Sequence, residues 1–233
     1  MLLGAKNLEC LRNAHIVVAG VGAVGSYAIE ALARSGVGAL TIVDFDVIKT
    51  SNINRQLCAL DSTVGERKTD ASARRVYDIN PECRVEVRNL FLDVSSISEI
   101  LKSKPDLLLD AIDSLGPKTE LLRQAIGAGV ATVSSMGAAL RRDPGRIRVD
   151  SLDKSHGCPL ARQLRKRLRR SVGIEGVRCV YSSEKVEKRE GRPTEDFQRG
   201  RPREILGSTA YIPGMFGLAA AGESIRIILE ANS

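Results

Sequence analysis

The stretch AHIVVAGVGAVGSYAIEALARSGVGALTIVD, residues 14–44, holds a complete strand, turn, helix and strand. AHIVVAG is a short apolar run of the kind that forms a buried parallel strand. GVGAVG (20–25) ends it, an apolar helical pattern follows over 24–34, and ALTIVD (39–44) is a second buried run closed by an acid. Gly20 permits the tight turn, and Gly22, with Ala23 beside it, lets the backbone approach a phosphate. Gly25 lets the helix pack close while its first N–H groups face the anion. Asp44 stands where a carboxylate accepts from ribose hydroxyls. Together these features specify a nucleotide site and fit NAD as well as ATP.

Outward from this unit the same rhythm continues. Apolar runs at 83–87, 106–112 and 130–135 read as further strands, and helical patterns occupy 66–79, 97–102 and 119–128. The expected fold is α/β: a Rossmann-like, doubly wound, mostly parallel sheet with a small C-terminal appendage. The expected division is an ATP-binding domain over 1–135 and an extension over 136–233 packed on the same domain. In the extension we expect a hairpin through DPGR (143–146), a basic helix, a strand near 177–181, a mobile charged loop over 184–204 and a last helix over 214–230. Glu223 and Arg226 interrupt that last helix, so it is not expected to span a membrane.

Composition narrows the function classes. The chain has 233 residues, 43% of them hydrophobic, enough for one packed domain. Its N-terminal segment carries Lys6, Glu9 and Arg12 and leads into a strand instead of a cleavage site, so a cytoplasmic location is expected. The five cysteines form no CxxC pair, which argues against a disulfide framework and against structural zinc. The net charge of +7 is concentrated in RQLRKRLRR. There Arg162, Arg165, Lys166, Arg167, Arg169 and Arg170 surround Leu164 and Leu168, whose spacing gives a helix one narrow apolar stripe and an otherwise cationic surface. With no acid in the run, and Arg141, Arg142, Arg146 and Arg148 upstream, nucleic-acid contact is expected ahead of a merely solvated face.

The loop DFDVIKTSNINRQL (44–57) separates the ligand classes. A pyrophosphate already cradled by the glycine turn leaves little for a further Arg and Lys to neutralise; a triphosphate does not. Arg55 in SNINR and Lys68 in GERKTD are placed to reach departing phosphates, and the positive end of the helix begun by Lys68 reinforces it. The fourth strand ends in DAIDS, across the switch point from the glycine turn, so Asp113 faces the phosphates and can hold Mg²⁺. Taken singly, each residue is as well explained by a surface ion pair or a loop-structuring role; with Asp44, in this chain order, the four are not.

GVGAVGSYAIEALARSGVGALTIVDFD, SNINRQ, VGERK, INPECRV and DAIDS together resemble the adenylating domain of the ThiF/MoeB/HesA family, related to ubiquitin-activating enzymes, over roughly residues 8 to 135. The resemblance implies attack of a carboxylate on the α-phosphate of ATP, giving an acyl adenylate and pyrophosphate. It implies that Asp44 binds ribose, that Ser51, Asn52, Asn54, Arg55 and Lys68 handle adenosine and phosphates, and that Asp113 takes the metal. CPLARQLRKRL, VRCVYSSEKV and GSTAYIPGMFGLAAAGE are similar to the branch that dehydrates threonylcarbamoyladenosine in tRNA, next to the anticodon, into a cyclic form. Members with carrier-protein substrates often carry two CxxC pairs, absent here. The resemblance further implies a homodimer in which an N-terminal arginine of the partner reaches the ATP phosphates. This sequence begins after that position, so Arg12 substitutes, the start is truncated, or turnover is impaired.

Cys179 matches a cysteine of this branch and is a candidate acyl carrier, against the plainer reading of a packed thiol in an apolar strand. His156 and Cys158 in SHGCP lack a third ligand and read as structural, as does His15. Three readings stand: ATP-dependent tRNA dehydratase; activation of a carrier protein's C-terminal carboxylate, with a sulfur-transfer protein as partner; and a nucleotide- or RNA-binding module without turnover. Hydride transfer ranks last because it leaves Arg55, Lys68 and Asp113 unexplained.

Overall fold

The structure, a computed structural model, describes residues 2–186, 194–195, 203–204 and 207–232. Helix α1 (Gly4–Asn13) leads into β1 (His15–Ala19), α2 (Gly25–Arg34), β2 (Ala39–Val43), α3 (Lys68–Ile79), β3 (Arg84–Arg88), α4 (Val94–Leu101), β4 (Leu107–Asp110), α5 (Leu115–Gly127) and β5 (Ala131–Ser135). Then come β6 (Ile147–Ser151), α6 (Pro159–Leu168), β7 (Val177–Ser182) and, after two short strands β8 (Thr194–Glu195) and β9 (Arg203–Glu204), α7 (Tyr211–Ala231). The main sheet has the order β3-β2-β1-β4-β5-β7-β6. Every pair in it is parallel except β6 with β7. The strand order reverses between β1 and β4, which places the switch point beside the glycine turn.

The apolar runs of β1, β2 and β4 are buried on both faces because helices cover both. Helices α1, α2, α3 and α7 close over one face around Leu11, Val18, Leu40, Leu109 and Phe216. Helices α4, α5 and α6 close the other, around Val17, Leu108 and Leu121 and, further along, Leu164, Leu168 and Cys179. Burying one such Leu or Phe contributes roughly 1.5–3 kcal/mol before chain entropy is subtracted.

Several expectations shift. Residues 4–13, given no element from the sequence, form α1, whose buried Leu11 lends its carbonyl to Ala14 and Gly38. DPGR does not turn a hairpin. It forms a single 3₁₀ turn (Pro144–Arg146) with the Asp143 side chain accepting from the Gly145 N–H, and runs straight into β6, whose partner β7 arrives only after α6. The residues do make a turn, but no strand precedes it. Pro159 at the first helical position starts α6 early, and the helix ends before Arg169 and Arg170. Most of 184–204 lies outside the described residues.

By length and composition alone α7 is apolar enough to cross a bilayer, in spite of Glu223 and Arg226. Burial gives it another place: Ile212, Phe216, Ala220, Ala221 and Ile228 are covered by the core. Gly214 and Gly217 bring it against α2, where a Cβ on Gly217 would sit 2.4 Å from the Val24 carbonyl oxygen.

Candidate functional site

The glycine turn is held from below and open above. Gly20 has φ +93°, and a Cβ there would meet the Ala111 carbonyl at 3.0 Å; a Cβ on Gly25 would lie 1.8 Å from the Gly20 oxygen. Around Gly22 nothing lies within 4 Å of the corresponding point, which leaves that side for a ligand. Asp44 staples the turn to the end of β2: one carboxylate oxygen accepts from the Val21 N–H at 2.6 Å and the other from the Asp46 N–H at 2.8 Å. Burial raises its carboxyl above the ordinary range, opposed by the nearby Lys68 charge and these two N–H groups. Each carboxylate oxygen retains a lone pair for a ribose hydroxyl.

The loop after β2 spends much of its polarity on itself. Asn52 is buried and its side chain caps the Lys49 N–H at 3.0 Å. Asn54 donates to the Ser208 carbonyl at 3.1 Å, tying the loop to the start of α7. Arg55 donates to the Ser51 carbonyl at 2.7 Å and to the Asn54 side chain at 2.8 Å, while Ser51 itself is exposed. Lys68 is only 5% exposed, which an ammonium tolerates because its Nζ sits 2.7 Å from the Asp46 carboxylate. Asp46 was missed from the sequence. Its signal was the DFD spacing, which aims two acids to one side of an extended chain.

Under the turn lies a pair that the sequence reading also missed. Asp110 closes β4 in register with Ala19 of β1, and both it and Lys118 of α5 are fully buried with 2.7 Å between them. Ser134 donates to Asp110 at 2.6 Å, Asp110 accepts from the Ile112 N–H at 3.0 Å, and Lys118 donates to the Ile112 carbonyl at 2.9 Å. The available signal was an acid ending the apolar DLLLDAI run: a carboxylate there needs a cation, and Lys118 follows in the next helix. The network fixes the start of the DAIDS turn through Ile112, and Asp113, the next residue, is exposed at the same sheet edge. No cluster of three metal-ligating side chains exists among the described residues. Mg²⁺ needs only one or two carboxylates, with its remaining ligands from phosphates and water, so the exposed Asp113 is of a type that fits it.

The second half divides likewise. On α6, Arg162, Lys166 and Arg167 are exposed, as are Arg169 and Arg170 just beyond it, while Ala161, Leu164 and Leu168 are buried. Arg165 is the exception: half-buried, it donates to the Ser155 carbonyl at 2.6 Å and to the Ser155 hydroxyl. Cys179 is fully buried in β7, and that burial pushes its thiol up to about 12, so the thiolate a nucleophile needs is not formed near neutral pH. The geometry gives it a packing role. His156 meets the Tyr181 hydroxyl through Nδ1 at 3.2 Å, and Cys158 is buried. Arg12 is exposed beside Glu9 at the opposite end of β1 from the glycine turn, roughly 16 Å away at about 3.3 Å per strand residue. It cannot reach the phosphates of its own chain.

Comparison with known proteins agrees with this geometry. The model of the ThiF family matches residues 1–233. The chain is 35% identical to the tRNA threonylcarbamoyladenosine dehydratase of Bacillus subtilis over 99% of this chain and 92% of that protein. It is 40% identical to the dehydratase of that name in Escherichia coli, over 78% of this chain and 71% of that protein. The crystal structure of E. coli tRNA N6-threonylcarbamoyladenosine dehydratase in complex with ATP superposes with a TM-score of 0.89 at 34% identity, covering 99% of this chain and 92% of that one. Molybdopterin-synthase adenylyltransferase of E. coli is 31% identical over 74% of this chain and 65% of its own length. With its whole length matched, a glycine turn at the switch point and a charged crevice beside it, the chain belongs to the ThiF family.

Proposed function

We propose that this protein uses ATP to dehydrate N6-threonylcarbamoyladenosine next to the anticodon of tRNA, closing the threonylcarbamoyl group into a ring. The observation that carries the reading is the open side of Gly22 at the switch point, flanked by the buried Lys68 and the exposed Asp113, in a chain that aligns over nearly its full length with proteins named as this dehydratase. A free carboxylate is a poor electrophile because its oxide cannot leave. Attack of that carboxylate on the α-phosphate releases pyrophosphate and makes AMP the leaving group; an internal nucleophile then closes the ring, expelling AMP with one former carboxylate oxygen and giving up a proton. Lys68 and Arg55 stabilise the departing pyrophosphate, and the glycine turn, with Asp44, seats the nucleotide. Asp113 would hold Mg²⁺, which would supply charge neutralisation to the phosphates.

The exposed cations of α6 bind the tRNA backbone, and the modified base, in a single-stranded loop, reaches the crevice. The protein acts in the cytoplasm as a homodimer. The exposed row Tyr211, Met215 and Leu218, one face of α7 by its spacing, supports a second copy as partner. The likeness to molybdopterin-synthase adenylyltransferase favours a second reading, activation of a carrier protein's C-terminal carboxylate with sulfur transfer, but it covers less of both chains.

The test is incubation with ATP, Mg²⁺ and tRNA bearing or lacking the threonylcarbamoyl group, following AMP and the mass of the modified nucleoside. Loss of one water and release of AMP only with the modified tRNA is expected; AMP release that depends on a small carrier protein instead would move the assignment to the second reading. Asp113→Ala is expected to abolish turnover and leave tRNA binding intact. Unchanged turnover would remove Asp113 from the metal role.

A further inference from the structure

Arg141 is 3% exposed and nearly without partners. Its Nη2 donates to the Gly157 carbonyl at 3.2 Å, while Nε and Nη1 are buried and unbonded among the described residues. The neighbouring acids are occupied. Glu184 accepts from the Arg142 N–H at 3.0 Å and the Asp143 N–H at 3.1 Å; Asp143 accepts from the Gly145 N–H at 2.9 Å and from Arg146 Nε at 3.1 Å. A guanidinium stays protonated inside folded proteins, and burying its charge without a counter-charge is strongly unfavourable.

Something other than that charge holds the loop. Leu140 sits at φ +62°, a conformation a leucine adopts only when its surroundings impose it, and its N–H donates to the Gly207 carbonyl at 3.0 Å. On the other side the Tyr211 hydroxyl donates to the Arg142 carbonyl at 2.9 Å. The backbone is therefore clamped on both flanks of Arg141 by contacts that do not involve the guanidinium. Its single neutral bond is easily exchanged for charge-assisted ones.

Position says which anion it meets. The loop carrying Arg141 leaves the C-terminal end of β5, whose Ser134 is bonded to Asp110 at the end of β4, so it opens on the sheet edge that carries Asp113. The phosphate-directed groups, Lys68 and Asp44, lie on the β1–β2 side of the glycine turn. Arg141 lies toward β7, through its bond to Gly157, which packs against Ser183 past the end of that strand, while the preceding Leu140 reaches Gly207, next to the Ser208 that Asn54 holds.

We propose that Arg141 receives the free carboxylate of the acyl substrate, its guanidinium turning from the Gly157 carbonyl to meet it and so recognising the threonyl group of the modified nucleoside. The proposal rests on the dehydratase reading. The shared chemistry is a small oxyanion, and a nucleotide phosphate is the other source the test must separate.

Three quantities are measured for the wild type, Arg141→Gln and Arg141→Lys: affinity for a non-hydrolysable ATP analogue, affinity for anticodon stem-loop RNA with and without the threonylcarbamoyl group, and kcat/KM. Wild type is expected to prefer the modified RNA. Arg141→Gln is expected to bind both RNAs as wild type binds the unmodified one, to keep its nucleotide affinity, and to lose at least tenfold in kcat/KM. Arg141→Lys, with charge but no fork, is expected to recover part of the preference. An undiminished preference in Arg141→Gln overturns the assignment, and a loss of nucleotide affinity transfers the residue to the phosphates. Misfolding of both variants assigns Arg141 to packing and equally ends the proposal. Should wild type itself neither prefer the modified RNA nor release AMP with it, the dehydratase reading has failed instead.

Discussion

At the scale of single residues, the site depends on charges with buried partners. Removing Lys118 leaves the Asp110 carboxylate fully enclosed without a cation, so Lys118→Met is expected to lower stability by about 3–5 kcal/mol. Adding Asp110→Asn to it should return a large part of that loss, because no uncompensated charge then remains; urea midpoints of the single and double variants check this. If the double variant is as unstable as the single, the charge argument is wrong and packing dominates. Cys179→Ala is expected to preserve turnover, since a thiol held near 12 supplies no nucleophile at neutral pH, and a large loss of kcat in a folded variant would restore its carrier role. What was legible in the sequence here was what local pattern encodes: glycine spacing, the acid after β2, the order of Arg55, Lys68 and Asp113. The pairing of Lys68 with Asp46 and of Asp110 with Lys118, and the near isolation of Arg141, were not legible, because they depend on which side chains meet once the chain has folded.

At the scale of elements, a charged cluster fastens α7 to the sheet. Glu223 of α7 receives Arg178 of β7 at 2.5 Å and Arg226 at 2.8 Å. The Arg226 hydrogen bond, aided by Arg178 and opposed by partial burial, holds its carboxyl at about 2. The folded pKa is depressed, so the stability from this cluster is complete above the ordinary glutamate value of about 4.3 and drains away as pH falls toward about 2. Thermal melts over that window should therefore converge: wild type exceeds Glu223→Gln near neutral pH and loses the advantage on acidification. A gap that stays constant with pH would show that the two arginines do not set the carboxyl. The apolar length of this helix was legible in the sequence; its partner was not. Its residues are apolar on most sides, so no single stripe marks the packed face, and it is the near-contact of Gly214 with Tyr27 and of Gly217 with Val24 and Tyr27 that shows α2 takes it.

At the scale of the whole molecule, topology places the basic helix along a definite direction. Gly157 packs against Ser183 past the end of β7, so α6 begins at the sheet edge that carries the glycine turn. β7 starts at the opposite edge and is parallel to β5, so α6 must descend between them, about 15 Å over its ten residues. Arg162 is thus nearest the crevice, and Arg169 and Arg170 lie at the far edge. From the sequence the six cations formed one undifferentiated cluster; the fold spreads them along a line and withdraws Arg165 to Ser155. A nucleotide backbone bound along that line meets Arg162 close to the reacting base and Arg169 about 10 Å further on. Arg162→Gln is therefore expected to raise KM for both a short anticodon loop and full-length tRNA, whereas Arg169→Gln with Arg170→Gln should raise it for full-length tRNA alone. In each case the slope of log affinity against log salt should fall by about 0.7–0.9 for every phosphate that is no longer neutralised, the lower figure for a single strand. Equal effects of both sets on the short loop would mean that the substrate crosses α6 instead of running down it. No effect of either on KM or on the salt slope would leave α6 as a solvated surface and move the tRNA-binding face elsewhere.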